Sequence, residues 1–235
     1  MKDVIIFGAS SYYELSELIQ DINASCSKSD RIRVIGLLDD NKSLHGSKIL
    51  GVEVLGDLLR YKNFPNVDGY VFGIGSHKTH LERRYILERL AIPDEKWISL
   101  IHPTAKVFST ASIGQGVIIH FGTIIFNGSK VGDFSIIMAL SVIGANNVIG
   151  KGCLITSAVS STNNVKIGNY SFIGTNTGIS EGVEIGPGSK VAMCSHVRKS
   201  TKPGQFVFNN PAKTIMGVEV DQEIITEWHS FLNDI

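Results

Sequence analysis

Short polar segments follow three apolar runs in the first third of the chain, and their residue types suit phosphate and sugar chemistry. Backbone N–H groups of a glycine-containing turn that enters a helix suit phosphate oxygens, and carboxylates suit the polar edge of a base or a ribose. Because ligands of open α/β sheets bind at the carboxyl ends of strands, these segments predict one binding edge, although each could also be an ordinary turn, helix cap or solvated strand end. The residues are Gly8, Ala9, Ser10 and Ser11, then Asp39 and Asp40, then Gly75, Ser76 and His77.

Three histidines lie between residues 100 and 200, and histidine is the side chain best suited to act as a base near neutral pH. His120 falls on a corner of the repeat described below, where it is either a base or a surface or subunit-seam residue. His102 is expected to order a domain junction, and His196 is expected to be exposed, near one end of the repeat. Zinc held by these three residues, as in a carbonic anhydrase, is disfavoured by spacings of 18 and 76 residues.

The composition indicates a globular protein without a nucleic-acid or membrane partner. Apolar residues make up 43% of the chain, charged residues 19%, and the formal net charge is zero. The first residues predict a strand and are too short an apolar run for a signal peptide, and no stretch approaches a membrane span. Cys26, Cys153 and Cys194 lack metal-ligand spacing, which favours reduced thiols in the cytoplasm and no bound metal. The incomplete Gly-x-Gly-x-x-Gly pattern also argues against a nicotinamide cofactor.

A six-residue repeat runs through residues 101–197. Sixteen of seventeen residues taken at every sixth position from Ile101 to Val197 are Ile or Val, and only Ser161 breaks the row, which suggests a local bulge. Glycine often follows the aliphatic residue, and the side chain four positions after the aliphatic residue is usually small. Aliphatic-glycine pairs at 113, 131, 149, 167 and 185 add a period of 18 residues, or three hexads.

This period predicts a parallel β-helix with triangular coils. Each hexad supplies one short strand and one corner, so the branched residues point inward and stack at about 4.8 Å on their equivalents in the next coil. Residues 1–98 alternate strands with helices, which predicts a small parallel α/β domain of the Rossmann type. We therefore expect an α/β domain at 1–98, a β-helix at 99–217 and a C-terminal helical segment at 218–235.

The order of several motifs resembles the sugar O- and N-acyltransferases of the sialic acid O-acetyltransferase and bacillosamine acetyltransferase type. The matching stretches are IIFGAS, GLLDDN, GVEVLG, GIGS, IHPTAKV, the five coils and FNNPAKTI, which span essentially the whole chain. The resemblance implies a Rossmann-like domain that binds a nucleotide-linked sugar, joined to a left-handed β-helix. It also implies a homotrimer with acyl-CoA in the groove between adjacent β-helices.

One departure from that family concerns its general base, a histidine in a stretch like Glu-His-Asp before an Ile-Gly pair. Matched to the coil that ends at Gly150, this stretch is Gly144-Ala145-Asn146, so the histidine is replaced by Ala145. A second family histidine falls on Leu154, and the family's Gly-Gly-His falls on Ser10-Ser11-Tyr12. Asn146 and Asn147 stand in the base region, where they either orient the acceptor or fill a β-helix corner.

The missing base favours an amine as the acceptor. A sugar hydroxyl gains about 10²- to 10⁴-fold from a positioned base, whereas an amine is partly free base near neutrality and can pass its proton to the departing thiolate. The protein must then supply proximity and an oxyanion donor, for which the backbone N–H of Gly174 is a candidate. The resemblance places acyl-CoA on the last coils and the tail, where the candidate contacts are Gly174, Ala192, Lys199, Lys202 and Lys213.

The predicted function is a cytoplasmic N-acyltransferase that moves an acetyl or other short acyl group from acyl-CoA to the amine of a UDP-, dTDP- or GDP-linked amino deoxysugar. The product would enter a surface glycan such as lipopolysaccharide O-antigen or capsule. Two alternatives stay open: an O-acetyltransferase with its base relocated to His120, and a catalytically inactive protein that binds a sugar nucleotide.

Overall fold

A computed structural model describes residues 1–210 and 213–233, and its N-terminal part is a five-stranded sheet flanked by two helices. The strand order is β3-β4-β2-β1-β5, with every described pair parallel except the β3–β4 hairpin. This arrangement confirms the expected α/β fold. The elements are β1 (Lys2–Phe7), α1 (Tyr12–Ser25), β2 (Ile32–Leu38), β3 (Lys48–Ile49), β4 (Val52–Gly56), β5 (Gly69–Phe72) and α2 (Glu82–Leu90), with 3-10 turns at Ala9–Ser11, Lys42–Leu44, Leu58–Asn63 and Asp94–Lys96.

The β1 strand is central because both of its faces are apolar. Val4 and Ile6 pack in one cluster with residues of α1, while Ile5 and Phe7 pack in a second cluster that contains Trp97. Residues Val4–Phe7 are fully buried, as expected of a parallel strand covered on both sides. Their burial fixes the loops that follow β1 at one edge of the sheet.

The repeat forms seventeen two-residue strands, one for each hexad, and this confirms the predicted parallel β-helix. They are β6 to β22 in chain order: Leu100–Ile101, Lys106–Val107, Ser112–Ile113, Ile118–Ile119, Ile124–Ile125, Lys130–Val131, Ile136–Ile137, Val142–Ile143, Val148–Ile149, Leu154–Ile155, Ser160–Ser161, Lys166–Ile167, Phe172–Ile173, Gly178–Ile179, Glu184–Ile185, Lys190–Val191 and His196–Val197.

The strands stack on three faces of a prism. The first face contains β6, β9, β12, β15, β18 and β21, the second starts at β7, and the third starts at β8. We call the turn from the first face to the second the first corner, the next turn the second corner, and the turn back to the first face the third corner. The first face packs on the N-terminal domain, because Ile118, Ile136 and Leu154 share a buried cluster with Leu15 of α1.

Ser161 does not mark a bulge, so that expectation is wrong. Its strand pairs in register with both neighbours, Ser161 lying opposite Ile143 and Ile179. The side chain points into the prism and is 3% exposed. Its hydroxyl accepts a hydrogen bond from the buried Asn147 side chain.

The chain continues the first face beyond Val197. Strand β23 (Gln205–Phe208) pairs in parallel with β21 and in antiparallel fashion with β24 (Lys213–Gly217). Helix α3 (Gln222–Asn233) follows, and its fully buried Trp228 donates a hydrogen bond to Glu184 at 3.5 Å. Among the described residues, no helix is long and apolar enough to cross a bilayer.

Candidate functional site

A cleft of about 860 Å³ lies between the N-terminal sheet and the first corner of the β-helix. The sheet contributes the loops after β1, β2 and β5, and the β-helix contributes its first face and first corner. This geometry brings together most of the residues predicted at the strand ends. Those that line the cleft are Gly8, Ser10, Ser11, Asp39, Asp40, Gly75 and Ser76, together with His120.

The loop after β1 is held to the loop after β2 by a carboxylate. Asp39 accepts a hydrogen bond from the Ala9 N–H at 2.9 Å and another from the Asn41 N–H at 2.9 Å. Gly8 takes a φ of 95°, a left-handed backbone that glycine adopts at little cost. The Ala9 N–H is therefore already bonded and is not free for a phosphate, and Asp39 braces this edge of the cleft.

Ser11 is the residue before α1, but it makes no side-chain cap to the helix. Its hydroxyl donates instead to the carbonyl oxygen of Gly8 at 2.6 Å. The first turn of α1 carries Glu14, which also lines the cleft. The positive end of the α1 dipole thus points at the cleft, next to the Glu14 carboxylate.

Asp40 is anchored from two sides at the mouth of the cleft. It accepts a hydrogen bond from Arg89 of α2 at 2.6 Å and one from the Leu58 N–H at 3.1 Å. Burial alone would raise the pKa of Asp40, but the hydrogen bonds from Arg89 and Leu58 hold that pKa below its usual range. Asp40 is consequently an anion that ties β2 to α2.

Arg83 holds the loop after β5 against the β-helix. Its fully buried guanidinium donates to the carbonyl oxygens of Ile74 and Phe134 and lies over the ring of Phe72, 4.9 Å from the ring centre. Burial lowers the pKa of Arg83 to about 10, so it stays charged at neutral pH. A side chain at Gly75 would approach Arg83 to 2.6 Å, which explains the glycine there.

His77 lies apart from its two predicted neighbours. Gly75 and Ser76 line the cleft, whereas His77 packs against Phe172 of the first face, with ring centres 6.2 Å apart. His77 therefore contributes to the domain contact.

Two histidines occupy equivalent places on successive coils of the first corner, and within the described residues only His102 forms side-chain hydrogen bonds. The Nδ1 of His102 accepts a hydrogen bond from the Thr104 N–H at 3.0 Å, so its Nε2 donates to Asp21 of α1 at 2.9 Å. This confirms that His102 orders the domain junction. His120 lines the cleft and is 7% exposed. Burial, with a smaller contribution from His102, lowers the pKa of His120 to about 4.

Asn147 does not reach the cleft, and its expected catalytic contact is wrong. The side chain is fully buried inside the prism, where it donates to the Ser161 hydroxyl at 2.7 Å and accepts from the Val165 N–H at 2.7 Å. Asn146 is exposed on the second corner with a φ of 57°, and the cleft lies at the first corner. Asn146 thus occupies a left-handed corner position that asparagine tolerates.

The residues expected to contact acyl-CoA lie together only in part. Gly174 and Ala192 are adjacent on successive coils of the first corner. The Gly174 N–H donates to the carbonyl oxygen of Val191 at 2.8 Å, so it is engaged in the coil and is not a free oxyanion donor. Lys199, Lys202 and Lys213 are exposed at the C-terminal end of the β-helix, outside the cleft.

Sequence reasoning missed the acidic character of the cleft. Glu14 and Glu82, in the first turns of α1 and α2, line it together with Asp39 and Asp40. Among the described lining residues there is no Lys or Arg. The sequence carried a signal, since acidic residues favour the first turn of a helix that follows a strand end.

Comparisons with known proteins agree with this architecture. The model of the bacterial transferase hexapeptide (six repeats) matches residues 164–199. No protein of curated function matches the sequence.

Solved structures resemble the whole chain. One is perosamine N-acetyltransferase from Caulobacter crescentus, in a variant with asparagine in place of a histidine and in complex with CoA and GDP-perosamine. It has a TM-score of 0.78 at 23% identity, and the match covers 92% of this chain and 98% of that one. The acetyltransferase domain of PglB from Neisseria gonorrhoeae, in complex with acetyl coenzyme A, has a TM-score of 0.75 at 22% identity, covering 91% and 99%. WeeI from Acinetobacter baumannii AYE has a TM-score of 0.75 at 22% identity, covering 92% and 100%. At these identities the likeness establishes the fold, an α/β domain joined to a left-handed β-helix.

Proposed function

We propose that this protein is an acyl-CoA-dependent N-acyltransferase that acts on a nucleotide-linked amino deoxysugar. The observation that carries the proposal is the cleft, which joins the strand ends of the α/β domain to the first corner of the β-helix. Solved proteins of the same fold hold CoA with GDP-perosamine, or acetyl coenzyme A. A nucleotide on the strand ends would present its sugar to the β-helix.

The charge of the cleft favours an amine over a hydroxyl acceptor. Four carboxylates line it, from Glu14, Asp39, Asp40 and Glu82, and a protonated amino sugar is attracted to such a surface whereas a hydroxyl gains nothing from it. The diphosphate of the nucleotide would lie near the N-terminus of α1, where the positive end of the helix dipole favours an anion.

The reaction needs little acid–base help from the protein when the acceptor is an amine. An amine that enters protonated first releases one proton to solvent. The nitrogen lone pair then attacks the thioester carbonyl carbon, the C–N bond forms, and collapse of the tetrahedral intermediate breaks the C–S bond. The second proton lost by nitrogen passes to the departing thiolate, so the products are an amide and the free thiol of CoA. The cleft contributes proximity and orientation.

His120 carries the competing proposal of an O-acetyltransferase, because it is the histidine that lines the cleft. A base with a pKa of about 4 is weak at neutral pH and poorly suited to deprotonate a hydroxyl. The alternative of a catalytically inactive sugar-nucleotide-binding protein shares the cleft and differs only in the absence of turnover.

A thiol-release assay with acetyl-CoA separates these proposals. Matched panels of UDP-, dTDP- and GDP-linked sugars would carry an amine or a hydroxyl at the same ring position. We expect thiol release with amino sugars; release with hydroxyl sugars alone would contradict the amine proposal. Binding of a sugar nucleotide by calorimetry without thiol release would favour the inactive binding protein.

We further propose that the protein works as a cytoplasmic homotrimer in surface glycan biosynthesis, with acyl-CoA between adjacent β-helices. Lys199, Lys202 and Lys213 are the cations proposed for the CoA phosphates, close to the coils of Gly174 and Ala192. Lys213 supports this, since it pairs with Phe208, the residue after Val207, and the Val207 carbonyl oxygen accepts the Ala192 N–H.

A further inference from the structure

His120 is a buried polar side chain that faces the cleft without a protein partner. It is 7% exposed, and within residues 1–210 and 213–233 neither ring nitrogen forms a hydrogen bond. Because His120 lines the cleft, its ring nitrogens are available there to water or to a ligand.

The comparison with His102 points to a ligand. Both histidines occupy the same place in the hexad, one coil apart, and their backbone N–H groups bond in the same way to the next coil. The ring of His102 is satisfied by Asp21 and Thr104, from α1 and its own corner. No such partner faces His120, whose side of the first corner is the cleft. Among the described residues, the imidazole of His120 is therefore available to hydrogen-bond a ligand in the cleft.

The chemistry of this imidazole selects the kind of group it can bind. Because burial lowers the pKa of His120 to about 4, the ring is neutral near pH 7, with one nitrogen donating and the other accepting. Ile118, Ile136 and Met138 supply apolar walls beside it. A neutral donor–acceptor ring between apolar walls suits a sugar hydroxyl next to a deoxy or methyl carbon, and it offers no charge to a phosphate.

We propose that His120 determines specificity for the acceptor by hydrogen-bonding a ring hydroxyl of the nucleotide-linked sugar. This role rests on the proposed function and differs from that of a base, since no proton leaves the hydroxyl. His120 acts on binding and orientation of the sugar, while the amine is the group that reacts.

The test combines a deletion in the protein with a deletion in the substrate. Wild type, His120→Ala and His120→Gln are assayed with an amino sugar nucleotide that the wild type acylates and with analogues that each lack one ring hydroxyl. The control is His229→Ala, which removes an exposed histidine of α3. Thermal unfolding checks that each variant is folded.

We expect His120→Ala to lower kcat/KM for the sugar about 10- to 100-fold, mainly through KM, while the KM for acetyl-CoA and the pH profile stay unchanged. One analogue should show the same loss with wild type and no further loss with His120→Ala, which is the signature of a shared interaction. His120→Gln should recover part of the loss, because its amide still donates and accepts.

Three outcomes would overturn the inference. One is an unchanged kcat/KM in His120→Ala, and another is an equal effect of the variant on every analogue. A loss in kcat with a changed pH profile would instead make His120 a base. Calorimetry distinguishes failure of the proposed function from failure of this inference. If the wild type binds no amino sugar nucleotide, both fail. If the wild type binds and acylates a sugar, the variants test the role of His120 alone.

Discussion

Asn147 and Ser161 form a polar pair inside an otherwise aliphatic prism. The Asn147 amide donates to the Ser161 hydroxyl at 2.7 Å, and its oxygen accepts the Val165 N–H at 2.7 Å. Both side chains are almost fully buried, so neither bond can be replaced by water. Ser161, the one residue that breaks the aliphatic row, thus has a hydrogen-bond partner in Asn147 at the second corner of the preceding coil.

Replacing Asn147 by Ala should destabilise the protein by about 2–4 kcal/mol, since it leaves the Val165 N–H unsatisfied, removes one of the two hydrogen bonds of the Ser161 hydroxyl and opens a small cavity. Urea unfolding measures the loss. The control Asn146→Gly changes an exposed neighbour at a left-handed position and should cost less than about 0.5 kcal/mol. Equal effects of the two changes would mean that the buried pair contributes nothing.

His120 should make stability depend on pH. Its pKa is about 4 in the folded protein and about 6.5 when unfolded, so between these values the unfolded chain binds more protons and stability falls as the pH falls. The loss reaches about 3 kcal/mol at most. Burial also lowers the pKa of His80, which adds a loss in the same direction.

The measurement is urea unfolding of wild type and His120→Gln at pH 7.5 and pH 5. The variant should lose less stability on acidification than the wild type, and the remaining loss belongs to His80 and to other groups. Asp21 faces His102 and not the cleft side of the corner, so it is not expected to offset the effect. Identical losses in the two proteins would show that His120 is not desolvated.

The contrast between Asn146 and Asn147 shows what the sequence could predict at this scale. Residues four positions after each inward aliphatic residue point into the prism, and Asn147 stands four after Ile143. Its burial was therefore predictable from the hexad, but the family match had assigned it to the base region. The cleft-facing ring of His120 was not predictable in the same way, because it depends on which corner the N-terminal domain leaves open.

At the scale of elements, Arg83 connects α2 and the loop after β5 to the third corner of the β-helix. Its partners, Ile74 and Phe134, lie 9 and 51 residues away along the chain. In the sequence, Arg83 stands in a charged helix and suggests a solvated face. Only the packing of Arg83 against the third corner shows that this arginine is buried.

The Arg83→Met variant should lose about 2–4 kcal/mol of stability, because two buried carbonyl oxygens lose their donor. It should also weaken binding of the nucleotide sugar, since the Gly75 loop would no longer be fixed. Calorimetric unfolding and titration with the sugar nucleotide measure the two effects. The control is Arg89→Ala, which breaks the half-exposed ion pair with Asp40 and should cost less than about 1 kcal/mol. A Met variant as stable as the wild type would contradict this role.

The elements themselves were largely predictable, because their signals are local. Each hexad produced one strand, and the helical segment expected at 218–235 contains the observed helix, Gln222–Asn233. The extra strand β23 was not predicted, since Lys202-Pro203-Gly204 interrupts the hexad. Its pairing with β21 depends on Val207 reaching the aliphatic core, a contact that no local pattern reveals.

At the scale of the molecule, the β-helix leaves apolar side chains exposed at its first and second corners. Phe121, Phe126, Leu140 and Met193 are 49%, 37%, 59% and 66% exposed. Phe126 stacks on Phe108, with ring centres 5.0 Å apart, so this surface is ordered as well as apolar. An apolar surface on a rigid prism beside the cleft fits the proposed trimer, in which a neighbouring β-helix would cover it.

Replacing Leu140 by Glu should therefore shift the protein towards monomers in sedimentation velocity, because a carboxylate would be buried against an apolar neighbour. Leu50→Glu is a closely matched control: Leu50 is 58% exposed with a φ of 47°, and Leu140 is 59% exposed with a φ of 61°. The backbone strain and the added charge are then nearly the same in both variants. If the site is shared between subunits, Leu140→Glu should lose thiol release in step with the trimer, while Leu50→Glu keeps both. Dissociation of both variants, or of neither, would argue against an interface at the first corner.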